Sequence, residues 1–272
     1  MKELSLRVGV AVVGIPFLLF TIFAGGYYFL SLIIVVTLIG QWELAKLLSL
    51  KGVFVQKAMA VAAALLILYQ IAYGLIPELI AILIFVILLI FGWEMFRNKG
   101  SAILNTAGTL LIIVYPAVFL ACFLYMRADL IGRTFVHLSA EWFIVSLFIS
   151  VWICDTFAYF IGVRFGKHRL FERVSPKKSI EGALAGLAGA ILTFLIMKWM
   201  DVLNISLIFA VICGLITGIF GQVGDLVESW FKRDASVKDS SSFLPGHGGI
   251  LDRFDSLIFI APFFVILFIL WK

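Results

Sequence analysis

Charged and polar residues gather at 229–255 of an otherwise apolar sequence. The stretch reads SWFKRDASVKDSSSFLPGHGGILDRFD, in a chain that is 63% hydrophobic. Asp252 and Asp255 are three residues apart, so on a helix their carboxylates are neighbours and repel each other unless a cation lies between them. Oxygen ligands without His or Cys favour a hard ion, Mg²⁺ before Zn²⁺. Backbone N–H groups of a glycine turn at Gly248 and Gly249 could hold an anion. With the adjacent Lys and Arg residues, the pattern is typical of phosphoryl or nucleotidyl transfer.

Two earlier stretches carry side chains suited to the same chemistry. Asp155 interrupts an apolar segment, which predicts that it lines a polar cavity, with a packing contact to another helix as the alternative. Residues Ser175 to Ser179, SPKKS, lead into an apolar helix that Ser179 is expected to cap. Lys177 and Lys178 would then lie beside free N–H groups that favour anions, although a charge cluster that only sets membrane orientation remains the alternative.

A polar stripe precedes the charged stretch. Gln222, Asp225, Ser229 and Lys232 follow one another at steps of three, four and three residues, so they share one face of a helix. A polar stripe that ends an apolar helix and runs into a charged loop predicts the wall of an aqueous pocket.

These residues must be positioned by membrane helices. The mean hydropathy is +1.15 and only 14% of residues are charged, which excludes a soluble globular protein. A span needs about 20 apolar residues. Nine spans are predicted, at about 8–24, 27–48, 57–75, 78–96, 104–126, 142–163, 181–200, 205–230 and 252–271. We therefore expect an all-α integral membrane bundle forming a single domain over 1–272, with scaffold helices in 1–140 and catalytic helices and loops in 141–272.

The basic residues are distributed unequally between the two sides of these spans. Of the 21 Lys and Arg residues, 17 fall on the side of the N-terminus and 4 on the other. The positive-inside rule then places the N-terminus in the cytoplasm and the C-terminus outside. Both charged loops, 164–181 and 231–253, would face the cytoplasm at the inner membrane. This distribution also argues against nucleic acid as the reason for the net charge of +5.

The first five spans have few polar residues. Glu43 and Glu94 lie just before basic loops, and we interpret them as interfacial residues that pair with those loops, with a catalytic role as the alternative. Glycines on the seventh and eighth spans, including Gly182 and Gly186, form small-residue faces that leave a homodimer open.

The charged stretch resembles the signature of phosphatidate cytidylyltransferases, also called CDP-diacylglycerol synthases. That pattern runs S-x-x-K-R, four residues, K-D, and later P-x-H-G-G-x-x-D-R-x-D. This sequence matches it at every anchor: Ser229, Lys232, Arg233, Lys238, Asp239, Pro245, His247, Gly248, Gly249, Asp252, Arg253 and Asp255. Residues 155–159 and 175–182 are also similar to family segments, so the resemblance covers about 155–255.

The resemblance implies the reaction of CTP with phosphatidate in the bilayer to give CDP-diacylglycerol and pyrophosphate, with Mg²⁺ and with a second cation left open. From the residues themselves we hypothesise that the catalytic side chains are Asp225, Lys232, Arg233, Lys238, Asp239, His247, Asp252, Arg253 and Asp255. Asp225, Asp252 and Asp255 are expected to hold the metal. The residues expected to bind substrate are Asp155, Ser175, Lys177, Lys178, Ser229, Gly248 and Gly249.

Two other functions remain open from the sequence. A CTP-dependent polyisoprenol or phytol kinase would use similar groups to phosphorylate a lipid alcohol. A non-enzymatic lipid or ion transporter could also hold such charges, although its site usually lies near the middle of the bilayer.

Overall fold

The computed structural model describes residues 2–135, 137–241, 243 and 248–271. Its order of elements is α1 Lys2–Ala24, α2 Gly26–Leu50, α3 Lys57–Ala72, α4 Ile76–Arg97, α5 Ala102–Ile112, a π-helical segment Ile113–Val118, α6 Phe119–Tyr125, a second π-helical segment Met126–Leu130, α7 Ile131–Thr134, α8 Ala140–Phe165, β1 Arg169–Phe171, β2 Ser175–Ser179, α9 Ile180–Trp199, α10 Leu207–Asp234 and α11 Leu251–Leu270.

The architecture is that of a largely α-helical, multi-pass membrane protein. Within the described ranges, seven helices are long and apolar enough to cross a membrane. Two of the nine predicted spans correspond to shorter apolar helices, Gly9–Ala24 and Lys57–Ala72. The helical membrane class is therefore confirmed, whereas the count of nine and the orientation of the termini stay predictions.

The chain forms two compact units, Met1–Ala128 with Asp234–Arg253, and Asp129–Arg233 with Phe254–Lys272. In the first unit, apolar side chains of α2, α3 and α4 such as Phe29, Ile67 and Ile90 are fully or almost fully buried. Pro116 lies in the π-helical segment that follows α5, as expected of a residue that cannot donate a helical hydrogen bond.

The second unit has a core of phenylalanines from four helices. Phe143 of α8 packs against Phe194 of α9 and against Phe264 and Phe268 of α11, with ring centroids 5.1–6.1 Å apart. Phe209 of α10 completes the group, 5.6 Å from Phe268. Edge-on aromatic contacts of this kind add to the burial of the rings, so α8–α11 form one framework around the site.

Helices α8 and α9 approach each other through small residues. A Cβ atom on Gly182 would lie 2.6 Å from the carbonyl oxygen of Ala158, and one on Gly186 would lie 2.8 Å from that of Cys154. Only glycine fits at such distances. The small-residue face predicted for the seventh span is therefore used inside the second unit.

A short antiparallel hairpin, β1–β2, joins α8 to α9. The sequence predicts only a charged loop here, and strands of three and five residues are too short to show a clear alternation of apolar residues. The hairpin ends at Ser179, whose hydroxyl accepts a hydrogen bond from the Gly182 N–H at 3.2 Å. The predicted N-cap of the following helix is confirmed.

Candidate active site

The second unit contains a cavity of about 310 Å³ between α8, α9, α10 and the hairpin. Small side chains line much of it, which leaves room for a ligand beside the polar groups. Its lining residues are Asp155, Ala158, Tyr159, Gly162, Val163, Leu170, Lys177, Lys178, Ser179, Gly182, Ala183, Gln222 and Asp225. Asp155 is one of the lining residues, and its predicted role in substrate binding stays a prediction.

An ion pair links the hairpin to α10 in the wall of this cavity. The ammonium of Lys178, in β2, binds the carboxylate of Asp225, and both side chains are 29% exposed. The Ser229 hydroxyl donates to the other oxygen of Asp225 at 3.3 Å. One turn earlier, the Gln222 amide donates to the carbonyl of Ala183 at 3.0 Å. The predicted polar stripe of α10 therefore faces α9 and the hairpin as far as Ser229.

Three carboxylates of the second unit lie around Lys178. Asp255, near the start of α11, lies within electrostatic range of Asp225, Asp155 and Lys178. Its Oδ1 accepts a hydrogen bond from the Ser256 N–H at 2.6 Å. We call Asp155, Asp225, Asp255 and Lys178 the acidic cluster. It combines carboxyl oxygens with one ammonium, and Asp155, Asp225 and Lys178 of the cluster line the cavity, which suits the binding of a charged substrate together with its counterion.

Lys232 lies on the same helix but has a different partner. Its ammonium binds Glu228, one turn earlier, and the side chains are 12% and 1% exposed, respectively. Because a buried carboxylate strongly favours a paired cation, this contact gives Lys232 a structural task in addition to its predicted contact with phosphate. A glutamate four residues before a lysine is a recognisable pairing pattern, so the sequence contained this signal.

Asp252 belongs to the first unit and accepts three hydrogen bonds there. Its Oδ2 is 3.2 Å from the Ser240 N–H, 2.9 Å from the Ser240 hydroxyl and 2.7 Å from the Gly249 N–H. The sequence predicts that the Gly249 N–H binds a phosphate. In the structure this N–H donates a hydrogen bond to Asp252 instead. Gly248 adopts a left-handed backbone with φ of 79° beside that carboxylate.

Glu43 corrects the sequence interpretation. Its side chain is fully buried, and its carboxylate accepts hydrogen bonds from Ser241, Ile250 and Leu251 and lies 3.2 Å from the Ser240 hydroxyl. The prediction that it pairs with a basic loop at the interface is therefore wrong, because its partners are hydroxyls and backbone N–H groups far along the chain. Glu94 does pair with a basic residue, Arg97, at 2.8 Å, and its side chain is buried. No periodicity in α2 could have revealed the partners of Glu43.

The remaining predicted residues lie on the surface or outside the described ranges. Lys177, Arg233, Lys238, Asp239 and Arg253 are exposed. Ser175 begins β2 and pairs with Phe171 across the hairpin. Pro245 and His247 lie outside the described residues. The roles assigned to all of these residues stay predictions.

The donor set of the acidic cluster suits a hard cation. Asp225 and Asp255 offer carboxylate oxygens, Ser229 offers a hydroxyl, and the Lys178 ammonium against Asp225 demonstrates that a positive charge fits there. In the described part of the chain, no three His, Cys, Asp or Glu side chains are grouped to hold an ion by themselves. Mg²⁺ commonly takes one or two carboxylates and completes its shell with water and substrate phosphates. The residues present therefore fit Mg²⁺ by donor type.

Comparison with known proteins gives a consistent result. Residues 5–271 match the Cytidylyltransferase family. A phosphatidate cytidylyltransferase of Staphylococcus haemolyticus is 35% identical over 243 residues, which cover 89% of this chain and 88% of that protein. The protein of the same name from Staphylococcus saprophyticus is 44% identical over 154 residues, covering 55% and 59% of the two chains. Another from Staphylococcus aureus strain COL is 47% identical over 127 residues, covering 47% and 49%.

Proposed function

Because this chain belongs to the cytidylyltransferase family, we propose that it transfers the cytidylyl group of CTP to phosphatidate. The products are CDP-diacylglycerol and pyrophosphate. The chain is thus a nucleotidyltransferase of phospholipid synthesis in a membrane.

The observation that carries this proposal is the acidic cluster at the cavity wall. Lys177 and Lys178 line the same cavity as Asp155 and Asp225, so cationic groups that attract phosphates lie next to carboxylates that attract a counterion. Both are needed where two anions must meet.

The reaction requires little proton transfer by protein side chains. A phosphatidate oxygen that is already anionic attacks the α-phosphorus of CTP, a P–O bond forms, and pyrophosphate leaves with its electron pair. The main contribution to the activation barrier is repulsion between the two anions, and much of the rest is the cost of aligning the attacking oxygen with the α-phosphorus. Lys178 and Lys177 lower this repulsion, and Asp225 orients Lys178 by its ion pair.

We propose Mg²⁺ as the cofactor, held by Asp225 and Asp255; the role of Asp252 as a further ligand stays a prediction from the sequence. When bound, such an ion screens the phosphates and favours departure of pyrophosphate. Ser229 keeps one oxygen of Asp225 in place. A second cation stays an open part of this proposal.

We also propose the inner membrane as the location, with the site on the cytoplasmic face and with nine spans. The excess of Lys and Arg on one side supports this orientation. A homodimer stays a prediction. Because Gly182 and Gly186 pack against α8 within the unit, a dimer interface would use another surface.

The test is a label-transfer assay with purified protein in detergent micelles that contain phosphatidate. CTP labelled at the α-phosphorus should give a labelled lipid, because cytidylyl transfer keeps that phosphorus. CTP labelled at the γ-phosphorus should give labelled pyrophosphate and an unlabelled lipid. The same assay with micelles that contain a lipid alcohol instead of phosphatidate tests for a kinase, which would place the γ-label on that alcohol. Failure to transfer the α-label to phosphatidate would refute the proposed cytidylyl transfer.

A further inference from the structure

We infer that Glu43 is a positioning residue for this reaction, because it fixes the residues that hold the Asp252 carboxylate. Its predictions for kcat and KM rest on the proposed function, whereas its predictions for hydrogen exchange do not. We call Glu43, Ser240, Ser241 and Asp252 the Glu43 cluster; all four belong to the first unit.

Both oxygens of the Glu43 carboxylate are engaged. Oε1 accepts from the Ser241 hydroxyl at 2.5 Å and from the Ile250 N–H at 3.0 Å. Oε2 accepts from the Leu251 N–H at 2.7 Å and lies 3.2 Å from the Ser240 hydroxyl. The N–H groups at the start of a helix have no partner within the helix. Glu43 of α2 therefore caps the N-terminus of α11.

Ser240 connects this cap to the functional carboxylate. Its hydroxyl lies 2.9 Å from Asp252 and 3.2 Å from Glu43, and its N–H also donates to Asp252. A hydroxyl has one proton to donate, so the shorter contact gives it to Asp252. Glu43 instead holds the neighbours of both residues, because its carboxylate accepts from the Ser241 hydroxyl, next to Ser240, and from the Leu251 N–H, next to Asp252.

Two glycines allow the backbone to approach the Glu43 carboxylate closely. A Cβ on Gly249 would lie 2.5 Å from Oε1 of Glu43 and would collide with the Ser240 hydroxyl. A Cβ on Gly40, one turn before Glu43, would lie 3.1 Å from the Leu251 side chain. The absence of a side chain at both positions lets α2 and the start of α11 meet closely around the carboxylate.

The experiment compares Glu43→Gln with Glu94→Gln. Both replace a buried, hydrogen-bonded carboxylate of the first unit by its amide, but Glu94 contacts Gln56, Arg97 and Asn105 instead. Glu43→Gln should lower kcat about 30-fold with KM for CTP within about twofold, whereas Glu94→Gln should keep kcat near wild type. Glu43→Asp keeps an ionised acceptor and should recover part of the lost kcat.

Hydrogen exchange gives a readout that needs no activity. The amides of Ile250 and Leu251 should exchange about tenfold faster in Glu43→Gln than in the wild type, and at the wild-type rate in Glu94→Gln. Ser241→Ala removes one donor only and should fold even where Glu43→Gln does not. It should lower kcat about threefold to tenfold and raise exchange at Ile250.

Three results would overturn the inference: a wild-type kcat in Glu43→Gln, unchanged exchange at both amides, or equal losses of kcat in the two Gln variants. Failure of the wild-type protein itself to transfer the α-label would refute the proposed function. In that case the exchange measurement still decides whether Glu43 holds the start of α11.

Discussion

Replacement of Lys178 by methionine tests the electrostatic reasoning most directly. Methionine has a similar length and no charge, so it removes the cation and retains most of the packing. Two unit charges about 4 Å apart attract by about 4 kcal/mol at an effective dielectric constant of about 20. Because the Lys178 and Asp225 side chains are each 29% exposed, solvent reduces the effect. We take about half of that attraction, about 2 kcal/mol, for a phosphate held by Lys178.

A loss of about 2 kcal/mol corresponds to a decrease of about 30-fold in kcat/KM. The decrease should be larger if Asp225 and Asp155, freed of their cation, also repel the substrate. The assay is the initial rate of α-label transfer from CTP to phosphatidate across a range of CTP concentrations. Lys198→Met, at the other end of α9 in its last turn, is the matched control and should keep wild-type kinetics. Lys178→Arg should retain part of the activity because the charge is kept.

A value of kcat/KM within about twofold of wild type in folded Lys178→Met would refute the reasoning. It would mean that the ammonium serves only to join β2 to α10. Lys178 would then have no part in substrate binding by the acidic cluster.

Four further variants test other contacts of the two units. Asp225→Asn should lower kcat/KM for label transfer by about 100-fold or more, since it removes the anionic partner of Lys178. Ser229→Ala should lower kcat/KM only about threefold to tenfold, because it removes a single 3.3 Å hydrogen bond. Glu94→Gln should lower the unfolding free energy by about 2–4 kcal/mol, seen as a lower thermal midpoint, because three side chains donate to this buried carboxylate; an unchanged midpoint would contradict this. Gly182→Leu should lower the unfolding free energy by about 1–3 kcal/mol, because a carbonyl of the facing helix would lie 2.6 Å from the new Cβ. The thermal midpoint is again the measurement. An unchanged midpoint would mean that α8 and α9 can separate.

Local patterns predicted much of the second unit. The Ser179 cap depends on residues three apart, and the polar stripe from Gln222 to Ser229 depends on the period of one helix. Asp155 was recognisable because a carboxylate in an apolar span must face a polar environment. In each case the physical cause operates within about one or two helical turns.

Such local patterns could not predict contacts between residues that are far apart in the sequence. Glu43 and its partners come from opposite ends of the sequence, and a single sequence does not show which span end will meet which loop. The β1–β2 hairpin was also missed, since its strands are short and charged. The partner of Lys232 was within reach, because Glu228 is four residues away on the same helix, but the resemblance to a catalytic signature favoured phosphate as the partner.

The burial of Glu43 has a consequence for how the chain is made. Its partners Ser240 and Leu251 follow it by 197 and 208 residues. At a synthesis rate of about 5–20 residues per second, the ribosome needs roughly 10–40 s to reach them. Throughout that interval a nascent α2 holds a carboxyl group without its native donors, which requires water, a proton or an insertion factor to accompany it. An incomplete chain would retain this polar defect within the bilayer, where a membrane protease could distinguish it from a finished molecule.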